Sequence, residues 1–234
     1  MYLYIVRHGE PDYTTDTLTE RGKLQAEAVG KRLANAGIDR VFSSPLGRAR
    51  ETAEPTCRLL GLDCKIEEWT REIDRETYAT EPYEKPTSIS LVQNTYFLQN
   101  GEIDLGYDRV FDGRIFGSTG MKPVLERITA DGNAFLERLG YRAEGGVYRI
   151  LKPSDERVAL FCHGVMGRVW IASLLHIPLH LMWAGFRYTH TGVTVLEFKN
   201  NDDGVTAPAC LCYSDMSHLY AYGPDTLYNS KKDI

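Results

Sequence analysis

The residues best suited to chemistry follow the first apolar run of the chain, in the order Arg7-His8-Gly9-Glu10. Arginine offers a planar fork of donors that matches phosphate oxygens. A cation beside a histidine disfavours the protonated imidazole, which leaves it neutral and nucleophilic near neutral pH. Glycine permits close approach of the backbone to a ligand. The tetrapeptide therefore indicates a site where an imidazole meets an anionic group.

Two further segments carry residues of the same kind. The stretch from Ser43 to Ala53 places Arg48 at the first turn of a predicted helix, where free backbone N–H groups also favour an anion. The alternative is a helix with its charges on a solvent-exposed face. The tetrapeptide Phe161-Cys162-His163-Gly164 ends a later apolar run. Because side chains alternate along a strand, only one of Cys162 and His163 can reach a common site.

The apolar runs predict the strands that must position these residues, and the segments between them predict helices. We expect strands over residues 2–6, 39–44, 64–68, 157–162, 193–198 and 209–213. We expect helices over residues 20–36, 46–60 and 165–175, with Thr19 as an N-cap, Gly37 and Gly61 as ends, and a kink or break at Pro55.

The order of these elements predicts an α/β fold, a three-layer α/β/α arrangement with a mostly parallel central sheet. In such sheets ligands bind at the carboxyl ends of the strands, which is where all three motifs lie.

The segment 78–151 has a different character from the rest of the single domain 1–234. It is rich in aromatic residues and glycine, and it contains one convincing helical pattern over residues 123–139. We expect it to be an insertion that forms a lid over the active site. Its candidate substrate contacts are Tyr83, Lys85, Tyr96, Phe97, Tyr107, Arg109, Phe111, Arg114, Phe116 and Lys122.

Composition narrows the classes of partner. The 234 residues carry a net charge of −5, which argues against a general nucleic-acid binder but allows an anionic substrate in a locally positive cleft. No apolar run approaches the ~20 residues that span a bilayer, so no membrane partner is expected. The N-terminal residues lack the pattern of a signal peptide, and the five scattered cysteines fit a reducing compartment, so we expect a cytoplasmic protein.

The motifs together resemble the histidine phosphatase superfamily, the phosphoglycerate mutase-like proteins. The resemblance is carried by Arg7-His8-Gly9-Glu10, by residues 18–26 and 43–53, and by Cys162-His163-Gly164. It implies that His8 is a nucleophile that becomes phosphorylated. It implies that Arg7, Arg48 and His163, with Gly9 and Gly164, bind the phosphoryl group. Neither a cofactor nor a metal ion is expected.

The proton donor is less clearly marked. Relatives use an acidic residue shortly after the third strand, and here Glu72 is the first choice and Asp74 the second. The alternative is a run of solvated charges. Two departures from the family pattern stand out: no glycine follows within residues 75–78, and Thr14 stands where relatives with mutase activity tend to carry asparagine.

The sequence therefore predicts an enzyme, a phosphoric monoester hydrolase of the histidine acid-type, that acts through a phosphohistidine on His8 without a metal ion. A phosphoglycerate mutase-type phosphotransferase and a non-catalytic module that binds phosphorylated ligands are the alternatives. The expected partner is a small phosphorylated substrate. The oligomeric state stays open, a homodimer included.

Overall fold

The structure, a computed structural model, describes residues 1–74, 79–80, 87–88, 94–99 and 101–223. Its strands are β1 (Tyr2–Arg7), β2 (Pro11–Asp12), β3 (Thr17–Leu18), β4 (Arg40–Ser43), β5 (Cys64–Ile66), β6 (Ala79–Thr80), β7 (Thr87–Ser88), β8 (Tyr141–Glu144), β9 (Val147–Ile150), β10 (Arg157–Cys162), β11 (Val193–Glu197), β12 (Val205–Thr206) and β13 (Ala209–Asp215). Its α-helices are α1 (Glu20–Ala36), α2 (Gly47–Leu60), α3 (Asn94–Gln99), α4 (Arg114–Gly117), α5 (Met121–Arg138), α6 (Gly164–Leu175) and α7 (Leu179–Gly185). Short 3₁₀ segments cover Glu68–Thr70, Tyr107–Asp112 and Ser217–Tyr222.

The central sheet has six strands in the order β13-β11-β1-β10-β4-β5. The strands β1, β10, β4 and β5 run parallel, whereas β11 is antiparallel to both of its neighbours. The predicted mostly parallel sheet of an α/β protein is confirmed. It follows that the carboxyl ends of β1, β10 and β4 lie side by side at one edge.

Side chains that alternate along β1 and β10 feed two apolar clusters, one on each face of the sheet. Leu3, Ile5, Val158 and Leu160 join the larger cluster, to which α5 and α6 contribute. Val6 and Phe161 join the smaller cluster with residues of α1 and α2. Helices therefore cover both faces, and the three-layer arrangement is confirmed.

Helix α1 begins and ends at the residues that the sequence predicts. The Thr19 hydroxyl accepts a hydrogen bond from the backbone N–H of Gly22, which satisfies one of the unpaired donors of the first turn. Gly37 adopts the left-handed conformation, with φ of +69°, and its N–H donates to Ala34. Local sequence alone fixes both ends of this helix.

The break expected at Pro55 is absent, because α2 is one helix from Gly47 to Leu60. Pro55 is buried, and a Cβ built on Gly30 of α1 would lie 2.8 Å from the Pro55 Cβ atom. The two helices thus approach closely where proline faces glycine. Tertiary packing of the helix outweighs the loss of one backbone hydrogen bond.

A hairpin within the segment 78–151 escaped the sequence analysis. Strands β8 and β9 pair antiparallel around Gly145 and Gly146, both of which have positive φ (+56° and +92°). A Gly-Gly pair between alternating residues is a hairpin signal, because such turns need positive φ at both central positions. Strand β9 also pairs with β12, which forms a separate three-stranded sheet.

Residues 101–120, which precede α5, pack on α7. The buried Glu102 carboxylate accepts a hydrogen bond from the N–H of Arg114 at 2.8 Å and so caps α4. The ring of Phe116 meets that of Trp183 edge-on at 5.7 Å. Among the described residues, no helix has the length and apolar character needed to cross a membrane.

We predict that Gly132→Ala destabilises the protein, although alanine is the better helix former. A Cβ at Gly132 in α5 would lie 2.2 Å from the indole nitrogen of Trp170. Trp170 is buried against Trp69 and Phe135, so it has no room to move. Overpacking of this kind costs about 1–3 kcal/mol, more than the ~1 kcal/mol that helix propensity would return.

Denaturant unfolding measures the effect, with Gly185→Ala as the matched control. Nothing lies within 4 Å of a Cβ built on Gly185, which ends α7. The control should be neutral or slightly stabilising. A Gly132→Ala protein at least as stable as wild type would contradict the packing argument.

Candidate active site

The register of the parallel strands brings the motif residues together. Arg7 pairs with Cys162 across β1 and β10, and Ser43 pairs with Phe161 across β4 and β10. The residues that follow each strand therefore emerge next to one another. The rings of His8 and His163 lie 5.2 Å apart, although 155 positions separate them in the sequence.

The hydrogen bonds of His8 define which ring nitrogen is free to react. Nδ1 lies 2.7 Å from the carbonyl oxygen of Gly9, which can only accept, so Nδ1 carries the hydrogen. Nε2 accepts from Nε of Arg48 at 3.4 Å, and a guanidinium can only donate. The lone pair of His8 is therefore on Nε2, on the side that faces Arg48.

Burial and positive neighbours keep both imidazoles neutral. Burial lowers the pKa of His8 well below its usual value, and Arg7 and Arg48 lower it further. Burial also lowers the pKa of His163, with added effects from His8, Arg48 and Arg7. A neutral imidazole has the lone pair that a nucleophile requires.

His163 is held by a hydroxyl whose role was not recognised from the sequence. Its Nε2 lies 2.7 Å from Oγ of Ser44, the residue that follows β4, and both side chains are buried. The Ser44 oxygen also accepts the backbone N–H of Leu46 at 3.3 Å. Nδ1 of His163 is buried and has no hydrogen-bond partner in the described part of the chain. That nitrogen is available to a ligand.

Arg7 lies against Gly164 at the start of α6. The nearest Arg7 atom, Nε, is 3.2 Å from a Cβ built on Gly164, so a larger residue there would press on the guanidinium. Nη1 donates to the Tyr188 carbonyl. Nε is buried and lacks a hydrogen-bond partner within the described residues. Gly9 has a packing role, because a Cβ there would lie 2.8 Å from the Gly22 carbonyl oxygen.

Arg48 is buried in the first turn of α2 and points at His8. Its Nη1 forms an ion pair with Asp16, a residue that the sequence analysis did not single out. The backbone N–H of Gly47, expected to be free for an anionic ligand, donates to the second oxygen of Asp16 at 2.7 Å. The chain's own carboxylate therefore occupies the first backbone donor of α2.

The structure separates the two candidate acids. The Glu72 carboxylate accepts hydrogen bonds from the N–H groups of Val165 at 3.2 Å and Met166 at 3.0 Å, so it caps α6 beside His163. Asp74 is exposed. Of the two, Glu72 is the one that lies at the helix start next to the histidine pair.

Two other histidines lie close to the cluster. His190 is buried, and its ring is 5.5 Å from that of His8. His218 joins the Arg32 guanidinium to the hydroxyl of Thr191, with Nε2 3.1 Å from the hydroxyl oxygen. The Thr191 N–H in turn donates to the carbonyl of His8 at 3.2 Å. Burial lowers the pKa of His218 to about 4.

Comparison with known proteins decides the family. The family model of the histidine phosphatase superfamily (branch 1) matches residues 3–89 and 126–208. The chain belongs to the histidine phosphatase superfamily. The match spans β1, α1, β4, α2, β10 and α6 and includes His8, Arg48 and His163, and it passes over residues 90–125.

Proteins similar to this histidine phosphatase superfamily member are named either as phosphoglycerate mutases or as phosphatases. A probable phosphoglycerate mutase, GpmB, from Salmonella paratyphi A is 26% identical, over 97% of this chain and 99% of that protein. A phosphoserine phosphatase from Entamoeba histolytica in complex with 3-phosphoglyceric acid has a TM-score of 0.62 at 21% identity, covering 93% of this chain and 98% of that one. A mycobacterial glucosyl-3-phosphoglycerate phosphatase has a TM-score of 0.60 at 19% identity, covering 91% and 98%. The structural likenesses show the shared fold.

We predict that this superfamily member loses stability as pH falls from about 7.5 to about 5.5. His8 and His163 stay neutral in the folded chain, whereas both bind protons in the unfolded chain below their ordinary pKa near 6.5. The unfolded state therefore gains protons that the folded state does not, and each imidazole removes about 1 kcal/mol over this interval.

Urea unfolding at both pH values measures the loss. His8→Gln should lose about 1 kcal/mol less than wild type on acidification, because one of the titrating imidazoles is gone. Far-ultraviolet circular dichroism checks that the variant is folded. An identical pH dependence for variant and wild type would show that His8 titrates normally in the folded chain.

Proposed function

We propose that the protein hydrolyses phosphomonoesters through a phosphohistidine formed on Nε2 of His8. The observation that supports this most directly is the state of that imidazole. It is buried, its pKa is lowered, and its lone pair lies on the nitrogen that faces Arg48. A nucleophile next to cationic donors is what phosphoryl transfer requires, because that reaction depends on positioning and on charge neutralisation.

The reaction has two displacement steps. In the first, the Nε2 lone pair forms a bond to phosphorus, the bond to the ester oxygen breaks, and the leaving oxygen takes a proton from Glu72. In the second, water attacks the phosphorus and gives a proton back to the Glu72 carboxylate. The nitrogen–phosphorus bond breaks, its electron pair returns to Nε2, and inorganic phosphate leaves.

Arg7, Arg48 and His163 are proposed to hold the phosphoryl oxygens. Each has a candidate donor: Nε of Arg7 and Nδ1 of His163 are buried without partners in the described residues, and Nε of Arg48 faces the nucleophile. Two guanidinium groups and an imidazole can neutralise the phosphoryl charge by themselves. The proposed reaction is therefore metal-independent.

Glu72 is the proposed proton donor. Its carboxylate lies at the N-terminus of α6, where it accepts hydrogen bonds from Val165 and Met166. A proton donor must reach the leaving oxygen, and this position at the start of α6 is next to His163. Asp74 is the weaker candidate because it is exposed, and water screens the charge of an exposed carboxylate.

A mutase activity is the second candidate, and the phosphoglycerate mutase name of the Salmonella relative favours it. A mutase would return the phosphoryl group to the substrate instead of giving it to water. Incubation with 3-phosphoglycerate distinguishes the two, because hydrolysis releases phosphate whereas transfer yields an isomer. Thr14, in place of the asparagine usual in mutase relatives, favours hydrolysis.

The lid remains part of the proposal. Segment 78–151 is proposed to select the substrate and to admit or exclude water through the residues that precede α5, because α5 itself packs on the sheet as part of the core. The family model passes over residues 90–125, which supports an insertion relative to that model. Tyr83 and Lys85 lie outside the described residues, so their proposed substrate contacts stay predictions. A lid that carries aromatic residues and cations suits an organic phosphate as the substrate. The protein is also proposed to act in the cytoplasm and without nucleic-acid partners.

We predict that His8→Ala lowers phosphate release by about 10³-fold or more, because the nucleophile is lost. The assay is phosphate release over sugar phosphates, nucleotides and phosphorylated amino acids, with and without a chelator. His176→Asn is the matched control, since His176 is exposed, ends α6 and has a left-handed φ that asparagine tolerates.

Brief exposure to substrate should also leave acid-labile, base-stable phosphate on the wild type and none on His8→Ala. Equal turnover by His8→Ala and wild type would overturn the nucleophile assignment. Strong inhibition by the chelator would overturn metal independence.

We predict that the effect of Glu72→Gln depends on the leaving group. For an alkyl phosphate, whose leaving oxygen needs a proton, kcat should fall by about 10²–10⁴-fold. For p-nitrophenyl phosphate, whose leaving group departs as a stable anion, the fall should be much smaller. Asp74→Asn is the control, and its kcat for both substrates should be close to that of wild type. A larger loss in Asp74→Asn than in Glu72→Gln would exchange the two roles.

A further inference from the structure

Arg48 has one carboxylate partner within the described residues, and it comes from the loop that follows the Arg7-His8-Gly9-Glu10 motif. Asp16 lies between β2 and β3, which pair with each other to form a small hairpin. One oxygen of its carboxylate binds Nη1 of Arg48, and the other accepts the N–H of Gly47 at 2.7 Å. Both oxygens are thus used at the first turn of α2.

The backbone holds Asp16 firmly in this position. Its φ is +54°, in the left-handed region that non-glycine residues seldom occupy. Its carbonyl oxygen would lie 2.2 Å from a Cβ at Gly47, so only glycine lets the loop come this close to α2. A second anchor is the hydrogen bond of 2.8 Å from the Leu18 N–H to the Glu51 carboxylate. The hairpin is therefore tied to α2 on both sides of Arg48.

This attachment determines how the Arg48 guanidinium is presented. Nη1 is held by Asp16, while Nε faces Nε2 of His8 at 3.4 Å. The ring of Tyr13 lies 5.5 Å from the guanidinium carbon. An arginine side chain otherwise has large rotamer freedom, which is lost when it binds an anion. The contact with Asp16 restrains this orientation through Nη1 and, as far as the described residues go, leaves Nη2 for an anion.

We propose that Asp16 is a positioning residue that fixes Arg48 for phosphoryl binding at His8. The proposal rests on the proposed function for its biological meaning. Asp16 acts through Arg48 and does not itself touch the phosphoryl group.

The charge of Asp16 and its positioning effect predict opposite results for anion binding. A negative charge next to the site repels an anion, so if charge alone counted, its removal would strengthen phosphate binding. If Asp16 positions Arg48, its removal weakens phosphate binding although the site becomes more positive. Asparagine separates the two effects, because its amide oxygen still accepts a hydrogen bond but carries no charge.

The test measures the dissociation constant of inorganic phosphate by titration calorimetry on the full chain. Asp16→Ala should raise this constant about 10-fold, and Asp16→Asn about 3-fold, because asparagine retains part of the contact. Asp12→Ala is the matched control. It removes the same charge from the same hairpin, but the Asp12 carboxylate accepts hydrogen bonds from Thr14 and Thr15 of that hairpin. It should leave the constant unchanged.

A double-mutant cycle shows whether Asp16 acts through Arg48. In an Arg48→Ala background, Asp16→Ala should change phosphate binding by less than about 2-fold, since the group that it positions is gone. An equal effect in both backgrounds would overturn the inference, as would tighter or unchanged phosphate binding in Asp16→Ala. Should Asp16→Ala fail to fold, Asp16→Asn supplies the same cycle.

Phosphate binding needs no turnover, so the two proposals fail separately. Coupled phosphate binding without any phosphohistidine would refute the proposed function and leave the role of Asp16 intact. Phosphohistidine formation with no coupling between Asp16 and Arg48 would refute the role of Asp16 and leave the proposed function intact.

Discussion

The parallel pairing of β1, β10 and β4 is the constraint on which the site depends, because it makes three separate chain segments leave the sheet at the same edge. The pairs Arg7–Cys162 and Ser43–Phe161 fix the register. A slip of one residue would turn each strand-end side chain to the opposite face of the sheet. Apolar residues on both faces prevent such a slip, since it would move core side chains out of their clusters. The geometry of the site is thus secured by the packing of the core.

The helices that follow these strands bring backbone N–H donors to the site. At the start of two of these helices, carboxylates of the chain itself accept hydrogen bonds from those donors. Asp16 accepts the N–H of Gly47 at the start of α2. Glu72 accepts the N–H groups of Val165 and Met166 at the start of α6. A ligand anion would otherwise compete for these positions. The proposed recognition of an anion at His8 therefore falls to side chains, whose orientation must be fixed by further contacts.

The sequence allowed the sheet, α1 and the three motif positions to be predicted, because these depend on local patterns. Thr19 and Gly37 act within one turn of α1. By contrast, the continuity of α2 through Pro55 depends on a facing glycine 25 positions earlier, Gly30, which no local pattern reveals. The β8–β9 hairpin did have a local signal, in its Gly-Gly turn.

Asp16 and Ser44 show why the surroundings of the site were harder to predict than its centre. Asp16 is one acidic residue in a polar loop, and its importance comes from a left-handed φ and from contact with α2, 31 positions away. Ser44 meets a histidine 119 positions away. The type of a residue and its motif can indicate a candidate nucleophile or a candidate phosphate-binding arginine. The residues that orient those groups can be identified only from the distances between side chains in the folded structure.

Arg7 and Arg48 have opposite effects on two charged forms of His8, the protonated imidazole and the proposed phosphohistidine. Arg7 and Arg48 disfavour a proton on the imidazole, which is one reason why its pKa is lowered. In the proposed phosphohistidine the same ring would carry a negatively charged group, and the same two guanidinium groups would attract it. Burial strengthens both effects, because it reduces the screening of charge by water. One arrangement of charge would thus keep the free imidazole reactive and stabilise the proposed intermediate.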